Sequence, residues 1–185
     1  MRVIAGKARR LQLKTLPGDN TRPTTDRIKE TLFNMISGDL YEINFLDLFA
    51  GSGGIGIEAL SRGASKAVFV DNNRKACEVI KTNLNTTHFT DCSEVMCCMA
   101  TEAVKRLSGK EKFHIVFMDP PYGKGLELKV INEPAFIDIL EDDAIIIIEA
   151  DLDTKVELKD CLELRLVKEK LYKTNKHIFL RREQQ

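Results

Sequence analysis

The sequence predicts an α/β protein in which helices cover both faces of a mostly parallel, doubly wound sheet. Strand-like and helix-like segments alternate from residue 44 onwards, which is typical of that fold class. The run 144–148 is continuously apolar and rich in β-branched residues, as in a strand buried on both faces. Four glycines between residues 51 and 56 join a predicted strand to a helix, a place where such folds bind nucleotide-like ligands.

Hydrophobic periodicity, with glycine, proline and asparagine at the ends, gives the elements in order. Residues 1–16 alternate loosely and predict a short hairpin or strand pair. The predicted strands span residues 44–48, 66–70, 93–98, 113–118, 144–148, 162–171 and 177–182, and the last two are expected to form an antiparallel hairpin at one edge. The predicted helices span residues 24–37, 55–62, 73–84, 101–107 and 134–140, and a glycine-containing loop is expected before the last one.

Composition indicates an ordinary globular protein. The chain has 185 residues, 43% hydrophobic and 30% charged, so one domain with a small appendage is expected. No apolar run reaches the roughly 18 residues that a membrane span needs, and the first residues lack a signal-peptide pattern, so a cytoplasmic location is expected. The five cysteines are odd in number and form no C-x-x-C pair. A disulfide framework and a zinc site are therefore not expected, nor is any other metal site.

Charge is unevenly distributed, although basic and acidic residues both number 28. Residues 1–14 carry no acid and five basic residues, namely Arg2, Lys7, Arg9, Arg10 and Lys14. Residues 165–182 carry seven basic residues against one acid, whereas residues 141–163 carry nine acids. Clustered basic residues are the expected footprint of a nucleic-acid partner. Both basic segments are therefore candidate nucleic-acid surfaces.

The glycine-rich turn has the spacing of a dinucleotide fingerprint. Residues 51–56 match G-x-G-x-x-G, and Asp71 follows Gly51 by twenty residues at the end of the second predicted strand. Glycine lets backbone approach a ligand closely, and a carboxylate in the position of Asp71 accepts hydrogen bonds from ribose hydroxyls. The motif indicates an adenosine-containing cofactor and does not separate NAD from the others.

Asp47 separates these cofactors because it lies four residues before the first glycine, at the end of the first predicted strand. An anionic pyrophosphate gains nothing from a nearby carboxylate. A cationic amino group or a sulfonium does, and S-adenosylmethionine has both. The alternative interpretation is an aspartate that hydrogen-bonds the loop backbone.

The segment Asp119-Pro120-Pro121-Tyr122 follows the fourth predicted strand. Two prolines make this loop rigid and remove two backbone donors, so the Asp119 carboxylate and backbone carbonyls can accept both hydrogens of an exocyclic amine. Tyr122 offers a face for stacking a planar base, a contact worth about 1–3 kcal/mol. The segment therefore predicts a site for an amino group on a flat heterocycle.

The segment D-L-F-A-G-S-G at residues 47–53, followed by D-P-P-Y at residues 119–122, resembles the class I S-adenosylmethionine-dependent amino-methyltransferases. The N-terminal part narrows the resemblance to the RsmD-like family of 16S ribosomal RNA guanine-N2 methyltransferases. The matching segments are residues 2–6, 21–24, 26–27, 32–34, 46–53, 58–64, 119–122 and 125–126. The resemblance covers nearly the whole chain, and the first thirty residues and the D-P-P-Y loop are its most specific parts.

The resemblance implies a Rossmann-like, seven-stranded methyltransferase domain in residues 21–185 and a small basic β extension that binds RNA in residues 1–20. It implies methyl transfer from S-adenosylmethionine to the N2 amine of a guanine in small-subunit rRNA, of the guanine-966 type. The implied substrate is that rRNA or a 30S assembly particle, and a monomer is expected.

The resemblance also assigns residues. It places cofactor binding at Asp47, Phe49, Ala50, Gly51, Ser52, Gly53, Asp71, Asn72 and Thr24, and catalysis with target-base binding at Asp119, Pro120, Pro121 and Tyr122. It places RNA binding at Arg2, Lys7, Arg9, Arg10, Lys14 and Arg22.

Two positions depart from the family pattern. Family members carry an Asp after the third strand that contacts the adenine amino group, and this chain has Met99-Ala100 there. Adenine recognition is therefore expected to differ or to rest on backbone groups. The family's Tyr-Gly-x-Thr between the last strands is 172-Tyr-Lys-Thr-Asn-175 here, a change expected to affect only the hairpin turn and RNA contact.

Three alternatives stay open at this point. An amino-methyltransferase of DNA adenine or cytosine uses D-P-P-Y as well. An NAD-dependent oxidoreductase fits the glycine motif, although Asp47 and D-P-P-Y argue against it. A non-catalytic RNA-binding protein fits the Met99-Ala100 departure.

Overall fold

The computed structural model describes residues 1–16, 26–156, 158 and 163–183. The strands are β1 (Asn44–Leu48), β2 (Lys66–Asp71), β3 (Ser93–Cys97), β4 (Phe113–Met118), β5 (Leu140–Ala150), β6 (Leu164–Leu171) and β7 (Lys176–Arg182). The α-helices are α1 (Asp26–Met35), α2 (Gly54–Ser61), α3 (Arg74–Thr87), α4 (Ala100–Leu107) and α5 (Leu126–Ile131). Three short 3₁₀ helices span Ser37–Asp39, Thr90–Cys92 and Pro134–Ile139.

The strands form one seven-stranded sheet in the order β3-β2-β1-β4-β5-β7-β6. The first five of these neighbours run parallel, and β7 is antiparallel to both β5 and β6. The predicted doubly wound sheet with an antiparallel edge hairpin is confirmed. Strand order reverses between β1 and β4, and α/β folds bind ligands outside the carboxyl ends of the strands at such a point.

Alternate residues along the strands enter two separate apolar cores. One core lies under α1, α2 and α3 and contains Phe45, Phe69, Phe117, Ile147 and Phe179. The other lies under α4 and α5 and contains Leu46, Val68, Val116, Ile146 and Ile148. Because side chains alternate with a period of two, Asp47, Asp71, Glu149 and His177 project from the same face as the first set.

The N-terminal segment forms a short antiparallel hairpin, as predicted, with a bridge between Arg2 and Gln12 and a backbone bond from the Leu13 amide to the Met1 carbonyl at 2.9 Å. The Val3 amide donates to the Leu11 carbonyl at 3.0 Å, but the next two amides turn away. Ile4 and Ala5 donate to the two carboxylate oxygens of Glu58 at 2.8 and 3.0 Å. A buried side chain of α2 therefore holds the first arm of this hairpin on the helix.

Two predicted elements differ in the structure. Residues 126–131 form α5, which the sequence analysis treated as loop, and Gly125 precedes it with φ 58°. Residues 134–139 form a 3₁₀ helix rather than an α-helix, and β5 begins at Leu140 rather than Ala144. In the described ranges no helix combines the length and the apolar character needed to cross a membrane. The described cysteines, 77, 92, 97 and 98, are free thiols.

Candidate active site

Asp47 is the second-last residue of β1 and is buried, with 2% of its surface exposed. Its Oδ2 accepts a hydrogen bond from the Gly56 amide at 2.9 Å, so the aspartate holds the backbone of the first turn of α2. Burial raises the pKa of Asp47 to about 7, and the Asp71 charge acts in the same direction, although the Gly56 bond opposes both. A carboxylate has about four acceptor sites, so one backbone bond leaves room for a cationic ligand.

The glycines of the turn divide into two groups. A Cβ on Gly56 would lie 2.3 Å from the Phe69 ring, and one on Gly54 would lie 2.3 Å from the Met1 sulfur, so these two glycines serve packing. Gly51 differs because no heavy atom of the described residues lies within 4 Å of a Cβ built there, and its φ is +56°. Among the four glycines of the turn, only Gly51 combines the left-handed backbone that favours glycine with open space in front of it, as a ligand-facing position requires.

The turn carries a strained residue beside these glycines. Phe49 has φ 64°, an uncommon value for a bulky side chain. Strain of this kind costs about 1–3 kcal/mol and is concentrated at functional sites. The Ala50 amide donates to the Val70 carbonyl at 2.9 Å and the Gly53 amide to the Ala50 carbonyl at 2.7 Å, which holds the chain in this shape.

Asp71 ends β2 and ties the glycine turn to the next helix. Its Oδ2 accepts from the Gly51 amide and its Oδ1 from the Asn73 amide, both at 2.8 Å. Asn73 is the N-cap of α3, and its side chain accepts from the Lys75 amide at 3.0 Å. Asn72 is exposed between them. The structure therefore brings Asp71 to the glycine turn, as the fingerprint predicts.

Asp119 follows β4 at the same edge of the sheet. Burial and then the charges of Glu149 and Asp47 raise the pKa of Asp119 well above the usual range of an aspartate. Pro120 is buried, whereas Tyr122 exposes 47% of its surface. The loop thus presents a tyrosine face to solvent next to a partly buried carboxyl group.

Glu149, near the end of β5, is a site residue that the sequence analysis missed. It is 6% exposed and accepts hydrogen bonds at Oε1 from Asn175 Nδ2 at 2.6 Å and from the Tyr122 hydroxyl at 3.4 Å. Its Oε2 lies 3.3 Å from His177 Nε2, and the Tyr172 hydroxyl lies 3.2 Å from His177 Nδ1. Burial and then the Glu149 charge raise the pKa of Tyr172 to about 12.

This network changes the expectation for the last hairpin. Asn175 is buried and bonds to Glu149, and Tyr172 packs edge-on against His177 with ring centroids 4.9 Å apart. The departure from the family's Tyr-Gly-x-Thr pattern therefore reaches the site, and the expectation that it touches only the turn and RNA contact was wrong. A tyrosine and an amide flanking the last turn were the available signals.

Asn83 on α3 is a second residue that sequence reasoning missed. Its Nδ2 donates to the Ser52 carbonyl at 2.9 Å and to the Lys14 carbonyl at 3.0 Å, while its Oδ1 accepts from the Lys14 amide at 2.8 Å. It is 1% exposed. One buried amide therefore joins the N-terminal basic segment to the glycine turn.

The predicted N-terminal RNA-binding residues Arg2, Lys7, Arg9, Arg10 and Lys14 are all exposed. Arg2 is partly neutralised because its Nε lies 2.8 Å from Asp26 Oδ2. Arg22 and Thr24 lie outside the described residues. Met99, at the N-cap of α4, is 58% exposed at the same edge of the sheet as Asp71.

Several basic residues of the C-terminal segment are paired with acids. Lys176 is buried and lies 3.0 Å from Glu169, and Arg182 Nη2 lies 3.1 Å from Glu163 Oε2. Arg165 Nε also lies 3.0 Å from Glu183 Oε1. These pairs reduce the free positive charge of the β6–β7 hairpin, so the N-terminal segment is the stronger candidate for binding phosphates.

The matches to known proteins extend over nearly the whole chain. A family model described as conserved hypothetical protein 95 matches residues 1–181. The Bacillus subtilis "Putative rRNA methyltransferase YlbH" is 43% identical over 164 residues, 86% of each chain. The "Ribosomal RNA small subunit methyltransferase D" of Haemophilus influenzae is 35% identical over 154 residues, 83% of this chain and 80% of that one. The solved structure of "Putative methyltransferase yhhF" from Escherichia coli has a TM-score of 0.86 at 32% identity and covers 100% of this chain and 99% of that one.

Proposed function

The chain belongs to the family described as conserved hypothetical protein 95, the RsmD family, and we propose that it is an S-adenosylmethionine-dependent rRNA methyltransferase. The acceptor is the exocyclic N2 amine of a guanine in small-subunit rRNA. Relatives named ribosomal RNA small subunit methyltransferase D support the class of substrate. The guanine and its N2 atom are proposed from the D-P-P-Y loop and the family resemblance.

One observation carries the choice of cofactor. Asp71, Asp47, Asp119 and Glu149 stand at or just beyond the carboxyl ends of β2, β1, β4 and β5, which are four adjacent strands. Burial and mutual repulsion raise the pKa of two of these acids, Asp47 and Asp119. A cationic ligand relieves that repulsion and an anionic pyrophosphate adds to it. The acids therefore favour S-adenosylmethionine over NAD.

The residues present fit this cofactor. Asp47 would hold its amino group, the open face of Gly51 would accept the methionine end, and Asp71 would bind the ribose hydroxyls. The cofactor supplies a methyl group already activated by a positively charged sulfur. Met99 offers an exposed apolar side chain on the adenine side, where adenine contact rests on backbone groups instead of an acid.

The D-P-P-Y loop binds the target base. Asp119 and nearby carbonyls accept the hydrogens of the amine, and Tyr122 stacks on the base. Holding the nitrogen in line with the methyl group can supply up to about 7–11 kcal/mol of the barrier. The developing positive charge on the nitrogen is stabilised by the Asp119 carboxylate. The base lies within RNA, so it must be splayed out to reach this pocket.

Residues 1–20 form the RNA-binding extension of this enzyme, with residues 21–185 as the catalytic domain. Exposed Lys7, Arg9 and Arg10 bind phosphates, and Glu58 holds the segment on α2. Arg22 and Thr24 are proposed to line the entrance to the site. The protein acts as a monomer on the rRNA or on an assembling small subunit.

Product analysis tests this function. The purified chain is incubated with methyl-labelled S-adenosylmethionine and, separately, with small-subunit rRNA, 30S particles and duplex DNA, and the nucleosides are then separated by mass spectrometry. We expect N2-methylguanosine from RNA and no label in DNA. Label on the amino group of adenine or cytosine in DNA would select the DNA methyltransferase alternative. RNA binding without label in any substrate would select the non-catalytic alternative.

A further inference from the structure

Glu149 anchors a largely buried polar network, of which the proposed reaction uses only Tyr122 directly. The network consists of Tyr122, Glu149, Tyr172, Asn175 and His177. Its members come from the loop after β4, from β5, and from the hairpin between β6 and β7. Glu149 and His177 are direct partners in the β5–β7 register, so the backbone itself holds them together.

The network is rigid on its inner side. The fully buried His177 ring packs edge-on against Phe117 and Phe179, with centroids 6.2 and 6.4 Å away, as well as against Tyr172. Both oxygens of Glu149 are engaged, Oε1 by Asn175 and Tyr122 and Oε2 by His177. The Glu149 carboxylate is therefore a fixed point from which one bond leads outward, to the half-exposed Tyr122.

We propose that Glu149 is a positioning residue of the target-base site, acting through the hydroxyl of Tyr122 and through its charge beside Asp119. This inference rests on the proposed function because it takes residues 119–122 as the loop that holds the base.

The first route is geometric. Pro120 and Pro121 fix the backbone before Tyr122 but leave its side chain free to rotate. The bond from its hydroxyl to Glu149 Oε1 at 3.4 Å holds the far end of the ring in place. A base stacked on that ring takes its position from it, and a misplacement of about 1 Å can cost about 100-fold in rate.

The second route is electrostatic. The groups that face Glu149 are Asp119 and Tyr122 after β4, and Tyr172, Asn175 and His177 from the last hairpin. Among the ion pairs of the described residues, Glu149 has His177 as its basic partner and no lysine or arginine. Burial, then the Glu149 charge and then the Asp47 charge raise the pKa of the Asp119 carboxyl group. A more basic Asp119 is a better acceptor for the hydrogens of the amine.

The variant Glu149→Gln separates charge from shape. Glutamine keeps an oxygen for Tyr122 and Asn175 while it removes the negative charge. We expect kcat to fall about 10-fold at its high-pH plateau because Asp119 becomes a weaker acceptor. The acid limb of the kcat profile should move to lower pH, since Asp119 ionises more easily without a neighbouring charge. Binding of S-adenosylhomocysteine, measured by calorimetry, should stay within about 2-fold of the wild type.

Two further variants test the geometric route. Glu149→Ala should lower kcat/KM for RNA by about 100-fold, and adding Tyr122→Phe should lower it little further, because both changes break the same bond. Full additivity of the two losses would overturn the geometric route. Glu141→Gln is the matched control, an identical change at the other end of β5, and it should leave kcat and its pH profile unchanged.

A readout without activity completes the test. The Glu149 charge contributes to raising the pKa of Tyr122 and of Tyr172, so spectrophotometric titration of Glu149→Gln should show two tyrosines that ionise at lower pH than in the wild type. A wild-type pH profile together with wild-type tyrosine titration in this variant would overturn the proposal. If the wild type makes no N2-methylguanosine, the proposed function and this role fall together, whereas the tyrosine titration still reports the network itself.

Discussion

Glu58 and Glu149 are both buried glutamates, but their surroundings have opposite charge. Glu58 is 0% exposed and lies 3.2 Å from Lys29 Nζ and 2.8 Å from Arg62 Nε, with two backbone amides as further donors. Glu149 is 6% exposed, and its donors include the uncharged side chains of Asn175 and Tyr122, with the Asp119 carboxyl nearby. Burial is nearly equal, so the charge balance is what distinguishes the two positions.

This difference separates an anchor from a reactive site. At Glu58 the cations balance the carboxylate, and the group fastens the N-terminal segment onto α2. Burial lowers the pKa of Lys29, and the Glu58 charge opposes that shift. In such a buried ion pair the cost of desolvation offsets most of the Coulomb attraction. At Glu149 the excess of negative charge adds to burial in raising the pKa of Asp119, Tyr122 and Tyr172. This edge of the sheet therefore favours a cationic ligand. The following predictions test that contrast, from the largest effect to the smallest.

The largest effect is expected at Asp119. Asp119→Ala should lower kcat by at least about 100-fold, because it removes the acceptor that positions the amine. Binding of S-adenosylhomocysteine should change little. Single-turnover methylation of rRNA measures the first quantity and calorimetry the second. Asp138→Asn, at an exposed carboxylate in the 3₁₀ helix before β5, is the control, and full activity of Asp119→Ala would remove this residue from the site.

The two glutamates should respond differently to the same substitution. Glu58→Gln should lower the free energy of unfolding by about 3–5 kcal/mol, because it leaves buried cations without their counter-charge. Glu149→Gln should change it by less than about 1 kcal/mol, because it removes a charge from among acids. Urea denaturation with unchanged m-values measures both. Equal losses in the two variants would contradict the contrast, and Glu78→Gln on the exposed face of α3 should lie within about 0.5 kcal/mol of wild type.

Asp47 predicts how stability depends on pH. Its pKa is about 7 in the folded chain and near 3.8 when exposed to water, so the folded state binds the proton more tightly. The stabilisation that comes from protonated Asp47 is present in full at pH values below the unfolded pKa and is lost as pH rises towards 7. Between pH 5 and pH 8 the loss is about 2–3 kcal/mol. Asp47→Asn should remove this part of the slope in urea denaturation of the cofactor-free protein, and an unchanged slope would argue against it.

The smallest effect concerns the N-terminal segment. Replacing Lys7, Arg9 and Arg10 together with Gln should weaken RNA binding and reduce the slope of log affinity against log salt by about 0.7–0.9 per residue. Binding of S-adenosylhomocysteine should not change. Filter binding over a range of salt measures the slope, with Lys110→Gln, at an exposed loop after α4, as the control. The same slope in the triple variant would place the RNA surface elsewhere.

The strands were predictable because their sequence signal is local. β1 and β4 have the predicted bounds, and each delivers its acid, Asp47 or Asp119, to the edge where parallel strands end. Glu149 follows Ile145–Ile148 in the same way, but it was counted with the acids of residues 141–163 as part of a charged segment. To predict a site residue from the sequence, the position of a carboxylate at the end of a buried strand is more informative than the charge of the surrounding segment.

Other features depend on contacts between distant segments, which no local pattern contains. The six residues of α5 are too few to show helical periodicity. The N-terminal hairpin is held by bonds to Glu58, which lies 54 residues beyond Ile4. Asn175 reaches Glu149 across 26 residues through the β5–β7 register.

The most direct test maps methylated nucleotides in small-subunit rRNA from cells that lack this chain. We predict that one guanine loses its N2-methyl group, that the wild-type chain restores it, and that the Asp119→Ala chain does not. An unchanged pattern of N2-methylguanosine in the cells without the chain, or full restoration by Asp119→Ala, would contradict the account.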